Sequence, residues 1–174
     1  MIEQICIPYV GAIIERTNDY GEIEVLVQTR WSLKYNSIYN GTIEFAAGTL
    51  DIPYENVYDA IRREVEEETG YIVSKFIDSN NTDIFSPQRT DKAFGFKPFC
   101  CTQQLLEGRP WVGFIFRVEV EAGIPRDQKG ETKDVRWTRL SDILEIFKTD
   151  QERLFTLEVP AWEYYFKEHG MLEE

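Results

Sequence analysis

The stretch RREVEEETG, Arg62 to Gly70, places four glutamates and two arginines within nine residues. A helix is predicted to contain it, because Asn56 followed three residues later by Asp59 is typical of an N-terminal capping box. Gly70 is a residue type that commonly ends helices. The helix is therefore predicted to be capped by Asn56 and to run to Thr69, with the charged stretch on its last turns.

The glutamates of this helix divide into two groups by direction. At about 100° per residue, Glu67 and Glu68 lie on either side of Glu64, whereas Glu66 points roughly the other way. Like charges on one face repel each other, and a bound divalent cation would reverse that balance. Carboxylate oxygens suit Mg²⁺ or Mn²⁺, so this face is either a metal site or an ordinary solvated acidic surface.

The overall composition limits the classes of function. The 174 residues carry a formal net charge of -12, which argues against binding to nucleic acid or to an anionic membrane surface. No signal peptide is recognisable, and no apolar run approaches the roughly 18 residues of a membrane span. The three cysteines, two of them adjacent, favour free buried thiols in a cytoplasmic protein over a disulfide framework.

The histidine content limits the chemistry further. His169 is the single histidine and lies close to the C-terminus. A Ser-His-Asp or Cys-His mechanism would depend on that residue, and a zinc site has little support without a Cys-x-x-Cys motif. Any catalysis is therefore expected to use carboxylates.

Strands are predicted on both sides of the charged helix. They are predicted over Tyr9 to Glu15, Glu22 to Arg30, Thr42 to Ala46, Tyr71 to Ile77, Trp111 to Glu121 and Asp134 to Thr138. Two more helices are predicted, one from an N-cap at Ser141 to Phe147 and one over Pro160 to Glu168. Since strands and helices do not alternate regularly, residues 1–174 are predicted to form a single α+β domain with a mixed sheet packed by helices.

The spacing upstream of the charged stretch changes its interpretation. Gly48, six residues, Glu55, seven residues and then REVEEETGY from Arg63 to Tyr71 closely resembles the signature of the Nudix hydrolases. This chain departs from the signature by one extra residue after the glycine and by Tyr71 at a position usually aliphatic. The extra residue falls in the loop before Asn56 and leaves the helix register unchanged. The resemblance implies a Nudix-like α/β/α sandwich with a mixed β-sheet flanked by helices.

The resemblance also implies an activity and roles for individual residues. Nudix enzymes hydrolyse the pyrophosphate bond of a nucleoside diphosphate linked to another moiety, with Mg²⁺ or Mn²⁺ as cofactor. The residues implied to bind the metal are Glu64, Glu67, Glu68 and the backbone carbonyl of Ala47. Arg63 and Glu55 would pair and hold the preceding loop against the helix, with Arg63 also part of the catalytic group.

Further residues are assigned by the same resemblance. Family members often use one more glutamate from a loop near the last strand as a base, and Glu131 has the best position, with a plain charged turn as the alternative. Arg30 and Gly48 are candidate substrate-binding residues, and for Arg30 a solvated strand end is an equal alternative. Three aromatic residues are candidates either for stacking on a base or for core packing, namely Trp31, Tyr35 and Tyr39.

Two short motifs bear on the substrate. FAAG, residues 45–48, is similar to the Pro-Ala-Gly turn of ADP-ribose and nucleotide-sugar pyrophosphatases, and Pro87 resembles a marker proline of that subgroup. ADP-ribose or a nucleotide sugar is therefore the first hypothesis. A (d)NTP pyrophosphohydrolase, a non-catalytic nucleotide-sensing domain and an acidic interaction scaffold remain alternatives, and a homodimer is left open.

Overall fold

The computed structural model describes residues 6–32, 38–77, 80–106 and 109–173. The strands in this part of the chain are β1 Ile7–Thr17, β2 Ile23–Arg30, β3 Ile43–Glu44, β4 Ala46–Thr49, β5 Val73–Ile77, β6 Asn80–Asn81, β7 Phe96–Lys97, β8 Cys100–Gln103, β9 Trp111–Val120 and β10 Thr132–Arg139. The helices are α1 Val57–Thr69, α2 Leu140–Thr149 and α3 Val159–Glu168. Two short 3₁₀ segments, Gln151–Arg153 and Thr156–Glu158, connect α2 to α3.

The longer strands form one mixed sheet in the order β10-β2-β1-β9-β5. β1 and β9 run parallel, and the other neighbours in this order are antiparallel. Three short strands add to the sheet, β3 on β2, β4 on β1 and β8 on β9, while β6 and β7 pair separately. The mixed sheet that was predicted from the order of elements is confirmed.

Alternating side chains of the central strands bury both faces of the sheet. Ile13 packs in the core that contains residues of α2 and α3, and its neighbour Ile14 packs in the core that contains residues of α1. Successive residues of a strand point to opposite faces, so one strand supplies both cores. The helices therefore cover the two faces, as in the predicted α/β/α sandwich.

Helix α1 begins and ends where the sequence predicted. The side chain of Asn56 accepts two backbone N–H groups of the first turn at 2.9 and 3.0 Å. Gly70 has a left-handed φ of 76°, and its N–H donates to the carbonyl of Glu66. In the preceding loop, where the extra residue was expected, Tyr54 has a φ of 65° and a fully exposed side chain.

Two local predictions were wrong. The strand predicted over Thr42 to Ala46 is broken at Phe45, where the chain leaves β2 as a partner and joins β1. Ser141 is not the N-cap of α2, because β10 runs directly into the helix and Arg139 stands at the cap without a side-chain capping bond. In the first case the exchange of strand partners overrides the local pattern. In the second case the continuation of β10 into the helix does so.

The break at Phe45 fills an opening between β1 and β2. Residues 14–17 of β1 pair with residues 23–26 of β2, and beyond them the two strands separate. Residues 9–12 of β1 then pair with β4, and residues 28 and 29 of β2 pair with β3. We call this opening between residues 9–12 and 28–29 the fork. Phe45 lies between β3 and β4 inside the fork and is fully buried.

Arg117 of β9 attaches α3 to the sheet. Its buried guanidinium forms ion pairs with Glu15 of β1, at 3.0 Å, and with Glu168 of α3. Tyr165 of α3 donates its hydroxyl to the same Glu15 at 2.7 Å. Two neighbouring strands and the last helix therefore meet at one charged cluster.

Replacing Arg117 by methionine is expected to lower the free energy of unfolding by about 3 kcal/mol or more, because Glu15 would keep a partly buried charge without its cation. Lys75→Met is the matched control, because Lys75 of β5 forms an exposed ion pair with Glu119 of β9. The control is expected to cost less than about 1 kcal/mol. Urea unfolding of both variants measures the difference, and equal losses would contradict the role of the cluster.

The cysteines are free, as predicted, but only Cys100 of the three is buried. The expectation of buried thiols was wrong for Cys6 and Cys101, which are exposed. Among the described helices, none combines the length and the apolar character that crossing a membrane requires.

Candidate active site

Glu68, near the end of α1, reaches into the fork. Its Oε2 accepts the side-chain N–H of Gln28 on β2 and the backbone N–H of Ala47 on β4, both at 2.8 Å. Burial raises the pKa of Glu68 well above its usual value, and the nearby carboxylate of Glu44 raises it further. Glu68 therefore bridges the two sides of the fork and does not lie on a solvated helix face.

Glu64 lies directly over the backbone of Gly48. A Cβ atom at position 48 would stand 2.1 Å from the carboxyl carbon of Glu64 and 2.2 and 2.3 Å from its two oxygens. A glycine leaves this space open, whereas any other residue would displace the carboxylate. Burial raises the pKa of Glu64, and the neighbouring Arg63 opposes that shift. The structure thus brings Gly48 and Glu64 into contact, although they are 16 positions apart in the sequence.

Arg63 connects the acidic face to the loop before α1. Its Nε and Nη2 donate to the two carboxylate oxygens of Glu55 at 3.0 Å each. Its Nη1 lies 2.5 Å from Oε1 of Glu64 and 3.7 Å from Oε2 of Glu67. The hydrogen bonds with Glu55 are the largest cause that raises the pKa of Arg63. The loop and the helix are therefore linked by the pair that was expected to support the site.

The three glutamates of the acidic face have different environments. Glu64 and Glu68 are buried, whereas the side chain of Glu67 is 50% exposed. Glu66 is also exposed, on the other side of the helix. Within the described residues, no three carboxylate, histidine or cysteine side chains converge closely enough to form a ready metal cage. Arg63 holds Glu64, and the fork holds Glu68, so the face is charged but not assembled around one point.

Arg30, the last residue of β2, contacts buried side chains beside the fork. It pairs with the buried carboxylate of Glu44 at 2.9 Å, and its guanidinium lies over the ring of Phe155 at 4.9 Å. Burial raises the pKa of Glu44, and the charge of Arg30 opposes that shift. The Nε atom of Arg30 is buried and has no hydrogen-bond partner among the described residues.

Glu131 is an exposed residue in the turn before β10. Its backbone carbonyl accepts the N–H of Trp31 at 2.8 Å, and the next residue, Thr132, pairs with Arg30. Its negative charge adds to the effect of burial in raising the pKa of Glu44. The structure therefore places Glu131 at the β2 side of the fork, near the acids but on a different element.

The three candidate aromatic residues separate. Trp31 is 40% exposed, and the Nζ of Lys133 lies 3.3 Å from its ring centre. Tyr39 packs edge-on against Phe155 in the core, at 5.1 Å between ring centres. Tyr35 lies outside the described residues. Of the described pair, Trp31 alone presents a substantial open surface for stacking.

Glu158 is a residue of this region that the sequence analysis did not identify. It is fully buried in the 3₁₀ segment before α3, where it accepts the hydroxyl of Tyr9 at 3.0 Å and the backbone N–H of Phe45 at 2.9 Å. Phe45 is 113 residues away, so no local pattern links the two positions. The one available signal was a glutamate within the apolar stretch LFTLEVPAW, residues 154–162.

A family model described as the NUDIX domain matches residues 7–157. The match includes the fork, the loop with Glu55 and the whole of α1. The chain belongs to the Nudix family. This membership confirms the resemblance found in the signature and the predicted enzyme class, a Nudix pyrophosphohydrolase.

Solved Nudix structures share the fold at low sequence identity. The NUDIX domain of Shewanella oneidensis NrtR, complexed with ADP ribose, has a TM-score of 0.64 at 14% identity and covers 96% of this chain and 90% of its own. The MutT protein from Methanosarcina mazei Go1 has a TM-score of 0.64 at 22% identity, with coverage of 97% and 99%. The C. elegans Ap4A hydrolase has a TM-score of 0.58 at 14% identity, with coverage of 95% and 99%. A comparison with curated proteins found no match.

Proposed function

We propose that this Nudix protein hydrolyses the pyrophosphate bond of a nucleoside diphosphate linked to another moiety, with ADP-ribose or a nucleotide sugar as the first candidates. The observation that carries the proposal is the joint position of Glu64 over Gly48 and of Glu68 against Ala47. Ala47 and Gly48 belong to the FAAG motif, residues 45–48, which is similar to a turn of ADP-ribose pyrophosphatases. The two acids therefore contact this motif. The ADP ribose bound by the S. oneidensis NUDIX domain supports the same substrate class.

The residues present fit a hard divalent cation, Mg²⁺ or Mn²⁺. Among the described residues, five carboxylates line the fork and the acidic face, alongside the guanidinium groups of Arg30 and Arg63. These carboxylates belong to Glu44, Glu64, Glu67, Glu68 and Glu131. An excess of oxygen donors over positive charge suits a cation that also binds substrate phosphates. Glu64, Glu67 and Glu68 would hold it, with the carbonyl of Ala47 as a further ligand.

When bound, such a cation neutralises charge on the pyrophosphate and lowers the pKa of water. The protein residues supply the rest. Glu67, the exposed acid, is proposed to act on the substrate. Arg63 is proposed to fix the direction of Glu64 through its bond at 2.5 Å. Glu131 is proposed as the additional base from the opposite side of the fork. Arg30 is proposed to contact phosphate from the end of β2, and Gly48 to contact substrate through its backbone beside Glu64.

A direct test is hydrolysis of a panel of nucleotides with Mg²⁺ or Mn²⁺, followed by chromatography of the products. The panel contains ADP-ribose, a nucleotide sugar, diadenosine tetraphosphate and a deoxynucleoside triphosphate. Release of AMP from ADP-ribose, or of a nucleoside monophosphate from the sugar nucleotide, is the expected result. Preferred cleavage of the triphosphate would instead favour the second hypothesis, a (d)NTP pyrophosphohydrolase. Binding without cleavage of any member would favour a sensing domain.

We further propose that residues 1–174 act as one domain in the cytoplasm. The core that holds α2 and α3 lies on the same sheet as the core that holds α1, which supports one folding unit. Three free cysteines are typical of proteins in reducing compartments. Whether two copies associate is measured by the molecular mass in solution.

A further inference from the structure

We propose that Glu158 is a positioning residue of the hydrolytic site, which holds the chain at Phe45 and thereby sets Ala47 and Gly48 against the acidic face of α1. The inference rests on the proposed function for its catalytic consequences. It concerns a residue that lies outside the Nudix signature and outside α1.

The first step is that the backbone at Phe45 needs an acceptor. Phe45 stands between β3, which pairs with β2, and β4, which pairs with β1, so it belongs to neither ladder. Its N–H is buried, and a buried N–H without a partner is costly. Oε2 of Glu158 accepts this N–H at 2.9 Å.

The second step is that the same carboxylate is fixed to β1. Oε1 of Glu158 accepts the hydroxyl of Tyr9, which lies in the half of β1 that pairs with β4. The Phe45 ring is confined too, because a Cβ at Gly11 of β1 would stand 2.6 Å from that ring. We call Phe45, where the chain passes from β3 to β4, the corner. The corner is therefore held to β1 through both its backbone and its side chain.

The third step connects this corner to the acids of α1. Ala47, two residues after Phe45, donates its N–H to Glu68 at 2.8 Å. Gly48, the next residue, lies so close to Glu64 that a single added carbon would overlap the carboxylate. Both contacts tolerate only small displacements, so a shift of the corner would change the position of both glutamates.

The segment that carries Glu158 is itself attached to β3. The N–H of Phe155 donates to the carbonyl of Ile43 at 2.9 Å, and Ile43 forms a parallel bridge with Leu154. The segment thus approaches the fork from the face covered by α3, whereas Glu64 and Glu68 approach on α1. Glu158 therefore links this C-terminal segment to Phe45 and so to the following strand β4, which contacts Glu64 and Glu68.

Two substitutions separate position from charge. Glu158→Gln loses the charge but keeps an oxygen that accepts the Phe45 N–H and gains an amide N–H that can donate to the Tyr9 oxygen. Near-normal activity is therefore expected. Glu158→Asp keeps the charge but withdraws the carboxylate by one methylene. For Glu158→Asp we expect kcat to fall by roughly 10- to 100-fold, as for partners that orient metal ligands. The Mn²⁺ concentration for half-maximal activity should rise by a similar factor, with a much smaller change in KM for the nucleotide.

A matched control is Tyr165→Phe, which removes a hydrogen bond between α3 and Glu15 without touching the corner. It is expected to lower stability while leaving kcat and the Mn²⁺ requirement unchanged. Amide hydrogen exchange at Phe45 and Ala47, followed by NMR, gives a readout that needs no substrate. Exchange at both amides should accelerate in Glu158→Asp relative to the amides of α1, and should not in Tyr165→Phe.

The outcomes distinguish this inference from the proposed function. If the wild-type protein cleaves no nucleotide but exchange accelerates as expected, the function fails and the corner remains held by Glu158. If Glu158→Asp exchanges and reacts like the wild type, the positioning role is overturned. It is also overturned if Glu158→Gln is the more damaged of the two variants, because the charge would then be what matters.

Discussion

Replacing Glu67 by glutamine is expected to reduce kcat by about 100-fold or more while leaving the fold intact. Glu67 is the half-exposed member of the acidic face, and its ion pair with Arg63 spans 3.7 Å. The change removes a negative charge without altering the shape of the side chain. Little stability should be lost, whereas a ligand or base on the substrate side would be missing.

The control for this experiment is the adjacent residue. Glu66→Gln makes the same chemical change one position earlier, on a side chain that is exposed on the other side of α1. It should retain activity within about 3-fold, since surface substitutions away from a site have small effects. Steady-state kinetics at saturating Mg²⁺ compares the two variants. Equal activities would remove Glu67 from the catalytic group, and a large loss in Glu66→Gln would mean that the helix phase assigned to the site is wrong.

Replacing Gly48 by alanine is expected to reduce kcat by about 100-fold, although it adds one carbon only. The new Cβ would stand 2.1 Å from the carboxyl carbon of Glu64, so one of the two must move. The end of a glutamate side chain moves more easily than a paired strand does. The fold should therefore survive, while Glu64 leaves its position beside Arg63.

A second glycine shows whether the effect is specific. Gly95→Ala places a Cβ 3.1 Å from a methyl group of Thr82, its three nearest heavy atoms all belong to Thr82, and the change should leave kcat near the wild-type value. In a double-mutant cycle, Gly48→Ala should add little to Glu64→Gln, because both changes remove the same carboxylate from the site. Full additivity, or a Gly48→Ala variant with normal turnover, would contradict the assigned contact.

The local features of α1 could be predicted because they depend on neighbouring residues. Asn56 caps the helix through its own first turn, and Gly70 ends it through a backbone conformation that glycine adopts readily. The helical period then places Glu64, Glu67 and Glu68 on one side. The central strands were equally predictable, since alternation along a strand reports on the two buried faces.

Features that depend on partner exchange could not be predicted in the same way. The residues Thr42 to Ala46 read as one continuous strand, yet the chain changes partner at Phe45. That change is decided by the separation of β1 and β2, which no local pattern records. For the same reason the sequence assigned Gly48 to substrate binding and could not show that Glu64 lies against it.

The sequence by itself determined the helix, the common face of three glutamates and the spacing that identifies the family. These are properties of residues within a few turns of each other. Only the tertiary structure decided that Glu64 and Glu68 are buried while Glu67 is half exposed, and that Glu158 holds a corner 113 residues away. Burial and long-range hydrogen bonds arise when distant segments pack together, so they depend on which strands separate and which segment fills the opening.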